Sequence, residues 1–109
     1  MASFDNREKG FEAKFRRDKE LEFKVMARRN KLLGLWAAEL MGVSGADAEA
    51  YAKEVVMADF DEPGEEDVYR KVMADLEGKG AGITEHHLRK EMERLKGVAL
   101  AEVEREAAS

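Results

Sequence analysis

The sequence has no cysteine, one proline, one tryptophan and only 7% aromatic residues among its 109 positions. Without cysteine, neither a disulfide framework nor a thiolate metal site can form. The apolar runs are far too short to cross a bilayer, and the opening residues do not resemble a signal peptide. We therefore expect a cytoplasmic protein with at most one folded domain and no direct membrane insertion.

Charge and helix-forming residues are what the chain has in abundance. Charged residues make up 39% and hydrophobic residues 44% of the sequence, a mixture that favours long amphipathic helices over strands. The charge is uneven, because residues 1–31 carry a balance of +4 and residues 32–109 a balance of −9. A basic segment can bind nucleic acid or an acidic protein surface. The overall acidity and the lack of aromatic residues among the basic ones favour a protein partner, and we expect no nucleic-acid binding.

Apolar residues at helical spacing predict two helices in the first half of the chain. The first is expected to begin between Phe11 and Lys19 and to end at Met41, where a glycine follows. The second is expected to run from an N-terminal cap at Ser44 to about Phe60. The residues predicted to face the core are Leu21, Val25, Leu32, Leu33, Trp36, Leu40, Ala48, Tyr51, Ala52, Val55 and Val56.

Two further helices are predicted in the second half. Pro63 suits the first turn of the third helix, and a glycine-rich run at 78–82 ends it. Thr84 is the expected cap of the fourth helix, with Ile83 and Leu88 placed to form a hydrophobic staple. Short linkers between amphipathic helices predict an all-α fold, an antiparallel four-helix bundle over residues 19–109. Its remaining predicted core residues are Val68, Tyr69, Val72, Met73, Leu76, Leu88, Met92, Leu95, Ala99 and Val103.

The sequence offers no arrangement of residues typical of an active site. His86 and His87 are adjacent on a helix and point about 100° apart, so they cannot chelate one ion together. His87 and Glu91 supply only two ligands, fewer than a zinc site uses. The run from Asp59 to Arg70 begins like a calcium-binding loop but ends in arginine where glutamate is required. We expect no catalytic residue, no metal site and no enzymatic activity.

The N-terminal segment carries three of the five phenylalanines in a polar context. At 100° per residue, Phe4, Phe11 and Phe15 form a narrow helical stripe. Burying them is worth about 1.5–3 kcal/mol each, whereas ordering residues 1–18 costs about 1–2 kcal/mol per residue. We therefore expect residues 1–18 to form a mobile arm that becomes helical where a partner buries the stripe. The competing reading is that the first helix begins early and packs these phenylalanines on the bundle.

A characteristic set of residues also runs through most of the chain: Phe4-Asp5-x-Arg7-Glu8, Phe11-Glu12-x-Lys14-Phe15-x-x-Asp18, Phe23-Lys24, Ala27-Arg28-Arg29-Asn30-Lys31-Leu32-Leu33-Gly34-Leu35-Trp36-Ala37-Ala38, Pro63-Gly64, Asp67-Val68, Lys71 and Asp75. In these residues the chain resembles the alphaproteobacterial zeta-subunit family, whose characterised members inhibit the F1-ATPase. The 28–38 run is the most specific part of the resemblance.

This resemblance implies an inhibitor subunit of the F1Fo-ATP synthase, peripheral at the inner membrane through that complex. Its flexible arm would enter the catalytic head at an α/β interface near the γ subunit, become helical, and block ATP hydrolysis while sparing synthesis. The partner-binding residues implied are Phe4, Arg7, Glu8, Phe11, Glu12 and Phe15. No cofactor would be required, although the family implies weak adenine-nucleotide binding by the bundle at residues that the sequence does not identify. The alternative function is a small regulatory bundle that senses a nucleotide or another ligand.

Overall fold

The computed structural model describes the backbone of residues 2–61 and 64–108, and the side chains of residues 19–59 and 64–108. Four helices account for nearly all of this part: α1 (Ala2–Leu40), α2 (Gly45–Asp61), α3 (Glu65–Gly78) and α4 (Glu85–Ala108). No strand occurs among the described residues. The predicted all-α, four-helix fold is confirmed.

The longest helix, α1, is the centre of the bundle and packs against the other three. Asn30 meets Asp59 while Gly34 meets Ala52, so α1 and α2 are antiparallel. On the other side of α1, the ring of Trp36 contacts His87 near the start of α4. Arg28, two turns earlier on α1, reaches Glu102 near the end of α4. These two helices are therefore antiparallel as well.

The core divides into a main cluster and a smaller one. The main cluster comes from all four helices, and its buried members are Leu33, Ala37, Val55, Val68, Val72, Leu76, Leu88, Met92 and Leu95. The smaller cluster joins Val25 of α1 to Ala99 and Val103 of α4, with Leu21 and Leu32 packed against it. Since the smaller cluster lies where α1 approaches the end of α4, this end of the bundle is held by fewer apolar contacts.

The predicted apolar stripes are largely those that the helices bury. All five residues predicted for α4 are buried, and Val68, Val72 and Leu76 are buried in α3. Trp36 is half-buried against the main cluster, as a core residue should be. Leu40 is an exception, because 41% of it is exposed. It is the last residue of α1, and its neighbour Met41 packs on the core instead.

One helix start differs from its predicted position. Helix α1 begins at Ala2 rather than between Phe11 and Lys19. Extending an existing helix costs much less than starting one, and one interior glycine, Gly10, costs only about 1 kcal/mol. Helix α3 begins at Glu65, and the prediction for Pro63 lies outside the described residues.

The helical backbone of residues 2–18 agrees with the expectation that the arm is able to form a helix. The mobility of this arm in the free protein, and the boundary between residues 18 and 19, stay predictions.

Candidate interaction surface

The six residues predicted to bind a partner all lie on α1 before residue 19. These residues are Phe4, Arg7, Glu8, Phe11, Glu12 and Phe15, and their side chains are outside the described part of the structure. What the structure does describe is the base of this segment, where α1 joins the bundle at residues 19–31.

Helix α1 is longer than any of the three helices that pack against it. Its 39 residues span about 58 Å at 1.5 Å per residue, against about 36 Å for the 24 residues of α4. Leu21 of α1 and Ala107 of α4 line the same groove, so α4 ends level with this part of α1. The backbone of residues 2–18 therefore continues past the end of α4 by about 25 Å.

Arg28 joins α1 to the last turns of α4. Its Nη2 donates to both carboxylate oxygens of Glu106, at 2.7 and 2.8 Å, and its Nη1 donates to Glu102 at 3.1 Å. These hydrogen bonds, above all those that Arg28 donates to Glu106, raise the pKa of the guanidinium above its ordinary value. The C-terminal end of a helix disfavours negative charge. Arg28 therefore offsets the carboxylate of Glu106, which lies in the last turn of α4.

The next two residues of α1 point into the bundle. Arg29 is 1% exposed and Asn30 is fully buried, and Arg29 Nε donates to Asn30 Oδ1 at 2.8 Å. Arg29 Nη1 reaches Glu65, the first residue of α3, at 3.4 Å. Asn30 Nδ2 donates to Asp59 near the end of α2 at 3.3 Å. A buried polar group is costly unless it is hydrogen-bonded, so these contacts fix α1 to the ends of both helices.

Asp59 also organises the connection between α2 and α3. Its Oδ1 accepts a hydrogen bond from the backbone N–H of Gly64 at 3.2 Å. Gly64 has a φ of 152°, a conformation that residues with a β-carbon rarely adopt. The sequence excludes a calcium-binding loop here but does not indicate which side chains these carboxylates contact. In the structure, Asp59 and Glu65 are the partners of the buried Arg29 and Asn30.

The burial of Arg29 was not predicted, although the sequence carries a signal for it. Val25, Arg29 and Leu33 follow one another at intervals of four, so the arginine lies in phase with the apolar stripe. A charged residue in that position has to find a partner within the bundle. The identity of the partner depends on the α2–α3 connection, which the periodicity of α1 alone does not reveal.

An open groove of about 640 Å³ runs along the base of the arm. Its apolar lining includes Ala27, Val56 and Val103, and Phe23 stands at its edge with 57% of its surface exposed. Five of the eleven residues that line the groove are charged, so it is a mixed polar and apolar surface. Helix α1, which lines this groove, also carries the predicted phenylalanine stripe.

A second polar cluster lies between α2 and α3, away from the arm. The Tyr51 hydroxyl donates to Asp75 at 2.8 Å, and Lys71 pairs with the same carboxylate at 3.2 Å. Burial first, and then the hydrogen bond to Asp75, raises the pKa of Tyr51 well above its ordinary value. The phenol is therefore protonated at neutral pH and acts as a hydrogen-bond donor that joins two helices.

His86 and His87 are both exposed, and His87 sets its ring edge against Trp36 with the ring centres 5.9 Å apart. No group of three or more potential metal ligands occurs in the described part of the chain. Within the same residues, no helix is both long and apolar enough to span a bilayer.

One of the comparisons with known proteins identifies a family. A family model described as ATPase inhibitor subunit zeta matches residues 1–102. A protein solved by solution NMR is 53% identical in sequence and superposes with a TM-score of 0.70, over 79% of this chain and 98% of the other. No curated protein matches the chain. The family match includes the whole N-terminal segment as well as most of the bundle.

Proposed function

Because the chain belongs to the ATPase inhibitor subunit zeta family, we propose that it stops the F1-ATPase by inserting its N-terminal arm into the catalytic head. The family supports an inhibitor role, a regulatory rather than catalytic protein, and F1-ATPase as the partner. The site of insertion, the residues that make contact and the effect on synthesis are the finer parts of the proposal.

The observation that carries the proposal is the extent of the family match, which begins at residue 1 and includes all three phenylalanines of the arm. The length of α1 supports it as well. A helix that continues about 25 Å past the end of α4 is long enough to reach into a cleft while the bundle stays outside. The proposed cleft is an α/β interface next to the γ subunit.

In this account the arm binds as an amphipathic helix in a groove. Phe4, Phe11 and Phe15 fill apolar pockets of the head, and Arg7, Glu8 and Glu12 pair with polar groups around them. The entropy cost that keeps the free arm from folding alone is then offset by surface that only the partner supplies. The bundle contributes the base from which the arm extends.

A ligand that binds one conformation of a cycling enzyme better than the others shifts the population towards that conformation. The α/β interfaces of the head change shape as γ rotates, so an arm that fits one of them stops the cycle there. Inhibition of hydrolysis with synthesis spared requires that rotation in the synthetic direction open the interface and release the arm. The proposed location is the cytoplasm, at the membrane only through the ATP synthase.

Adenine-nucleotide binding is a separate expectation. The proposed inhibition needs no cofactor, and a nucleotide bound weakly to the bundle would modify it without taking part in it. Titration of the free protein with ATP and ADP, followed by NMR chemical shifts, tests this expectation. Saturable shifts confined to the bundle support it, and unchanged spectra would remove both it and the sensing function.

The function itself is tested with the cognate ATP synthase in inverted membrane vesicles. We expect added protein to lower the rate of ATP hydrolysis in a saturable way and to leave proton-driven ATP synthesis nearly unchanged. Equal inhibition in both directions would keep the inhibitor role but contradict release by rotation. Full hydrolysis at saturating protein would contradict the proposal.

A further inference from the structure

The first turns of α3 are held between α1 and α4. Arg29 of α1 reaches Glu65 at 3.4 Å. From the α4 side, Arg89 donates to Glu66 at 3.2 Å, and its guanidinium lies 4.0 Å from the centre of the Tyr69 ring. The face of α1 that carries Arg29 and the face of α4 that carries Arg89 therefore mark the place of a third helix.

These two faces continue past the start of α3. At about 100° per residue, Glu22 and Val25 share the face of Arg29. By the same spacing, Lys96 and Leu100 share the face of α4 that meets α3. Because α3 starts at the level of Arg29 and runs towards the main core, its backbone does not cover this part of either helix.

The uncovered part is an open groove of about 460 Å³, which we call the α1–α4 slot. The described residues that line it are Leu21, Glu22, Val25, Met26, Lys96 and Leu100. Four of these six are apolar, and 41% of Leu100 is exposed. The two charged residues are exposed and stand on opposite walls, Glu22 on α1 and Lys96 on α4. The slot therefore has an apolar floor between one acidic and one basic wall.

A helix fits this slot, because α3 occupies the same position between the same two helices further along the bundle. The connection between α2 and α3 cannot provide that helix, since only positions 62 and 63 separate α2 from Gly64, fewer than one helical turn. A second copy of the chain fits less well, because α3 projects from the α1–α4 face where the slot ends and would meet the copy. The geometry favours a helix of a different protein.

We propose that the α1–α4 slot binds an amphipathic helix of the ATPase head, with a basic residue towards Glu22 and an acidic residue towards Lys96. This inference rests on the proposed function. The slot begins at Leu21, three residues or about 4.5 Å beyond residue 18 on the same continuous helix. A head that holds residues 1–18 therefore lies beside the slot.

Such a contact is of the helix-in-groove kind. It buries apolar side chains that α3 leaves exposed, and it adds a second point of attachment close to the first. Two linked contacts bind more tightly than either alone. The slot thus raises the affinity for the head, while the arm remains the part that stops hydrolysis.

Inhibition by the full chain tests the slot through Leu100. Leu100→Glu places a carboxylate on its apolar floor at a position that is exposed in the free protein. Val98→Glu is the matched control, because Val98 is 36% exposed on the same helix and is not among the residues that line the slot. We expect the concentration that half-inhibits hydrolysis by the cognate F1 to rise about tenfold for L100E and to stay at the wild-type value for V98E.

The basic wall supplies an independent pair of variants. Lys96→Glu puts two acidic residues on opposite walls, so an occupant with one acidic and one basic side no longer matches. We expect inhibition to weaken about threefold. Lys90→Glu makes the same change at an exposed position of α4 outside the slot, and should inhibit like the wild type.

Photo-crosslinking of the full chain identifies the occupant. With Leu100→p-benzoylphenylalanine and the cognate F1, we expect a crosslink to a subunit of the head, and none when the same group replaces Val98. Crosslinking to another copy of this chain, or equal results at the two positions, would overturn the proposal. So would L100E and K96E that inhibit as well as their controls. A chain that crosslinks to the head from position 100 without inhibiting hydrolysis would keep the slot and contradict the proposed function.

Discussion

Helices α1 and α2 touch backbone to backbone at Gly34 and Ala52. A β-carbon added at Gly34 would lie 2.6 Å from the α-carbon of Ala52, closer than such atoms approach one another in real proteins. Gly34 is buried within α1, six residues before the helix ends, where an alanine would otherwise be favoured by about 1 kcal/mol. The helix spacing here therefore depends on the absence of a side chain.

We predict that Gly34→Ala lowers the free energy of unfolding by about 1–3 kcal/mol, because the clash outweighs the gain in helix propensity. Gly97→Ala is the matched control, since Gly97 lies within α4 and nothing stands within 4 Å of an added β-carbon there. That variant should gain stability, by up to about 1 kcal/mol. Urea unfolding of both variants measures the difference, and equal shifts would contradict the close approach of the helices.

The buried polar cluster gives a second prediction. Asn30→Ala removes the acceptor for Arg29 Nε and the donor to Asp59, and leaves Arg29 buried with a hydrogen bond fewer. We expect a loss of about 1–3 kcal/mol in the free energy of unfolding. Lys31→Ala, at the exposed neighbouring position, should change it by no more than about 0.5 kcal/mol. Similar losses in the two variants would show that the cluster is not what holds this part of α1.

Tyr51 gives a prediction about pH. The pKa of its phenol is raised in the folded state, by burial and by the hydrogen bond to Asp75. Its contribution to stability is therefore fully present below the pKa of an unfolded tyrosine, about 10, and is lost as the pH rises above that value towards the folded-state pKa. The free energy of unfolding of the wild type should fall more steeply above pH 10 than that of Tyr51→Phe. Parallel curves for the two proteins would contradict the raised pKa.

The start of α4 depends on a side-chain cap. Thr84 Oγ1 accepts a hydrogen bond from the backbone N–H of His87 at 3.1 Å, and the helix begins at the next residue, Glu85. Thr84→Ala should cost about 1 kcal/mol, whereas Thr84→Ser keeps the oxygen and should cost much less. Thermal unfolding of the two variants decides whether the hydroxyl or only the position matters.

The helices that pack by apolar periodicity were predictable from sequence. Thr84 and the stripe from Leu88 to Val103 were located correctly, because one capping residue and a regular spacing are local signals. The charged helix formers of residues 2–18 gave no such start signal, and α1 begins earlier than predicted. Leu40 was placed in the core because periodicity does not tell where a helix leaves the bundle.

The interaction surface was predictable only in its outline. The phenylalanine stripe follows from the spacing of residues in the sequence. The polar contacts between α1 and α4 at the base of the stripe do not, since they join residues far apart in sequence. Arg28 meets Glu102 and Glu106 more than seventy positions away. Such pairs depend on how the helices are arranged, and no pattern within a single helix specifies them.

The central claim is that the N-terminal arm, and not the bundle, is the inhibitor. The most direct measurement compares hydrolysis by the cognate F1 in the presence of the full chain and of a chain that lacks residues 1–18. The described buried core lies wholly after residue 19, so we expect the shortened chain to keep its cooperative unfolding.

We predict that the full chain inhibits at saturation and that the shortened, folded chain does not inhibit at any concentration tested. The triple substitution of Phe4, Phe11 and Phe15 by alanine should reproduce this loss in a chain of full length. Equal inhibition by the full and shortened chains would contradict the claim.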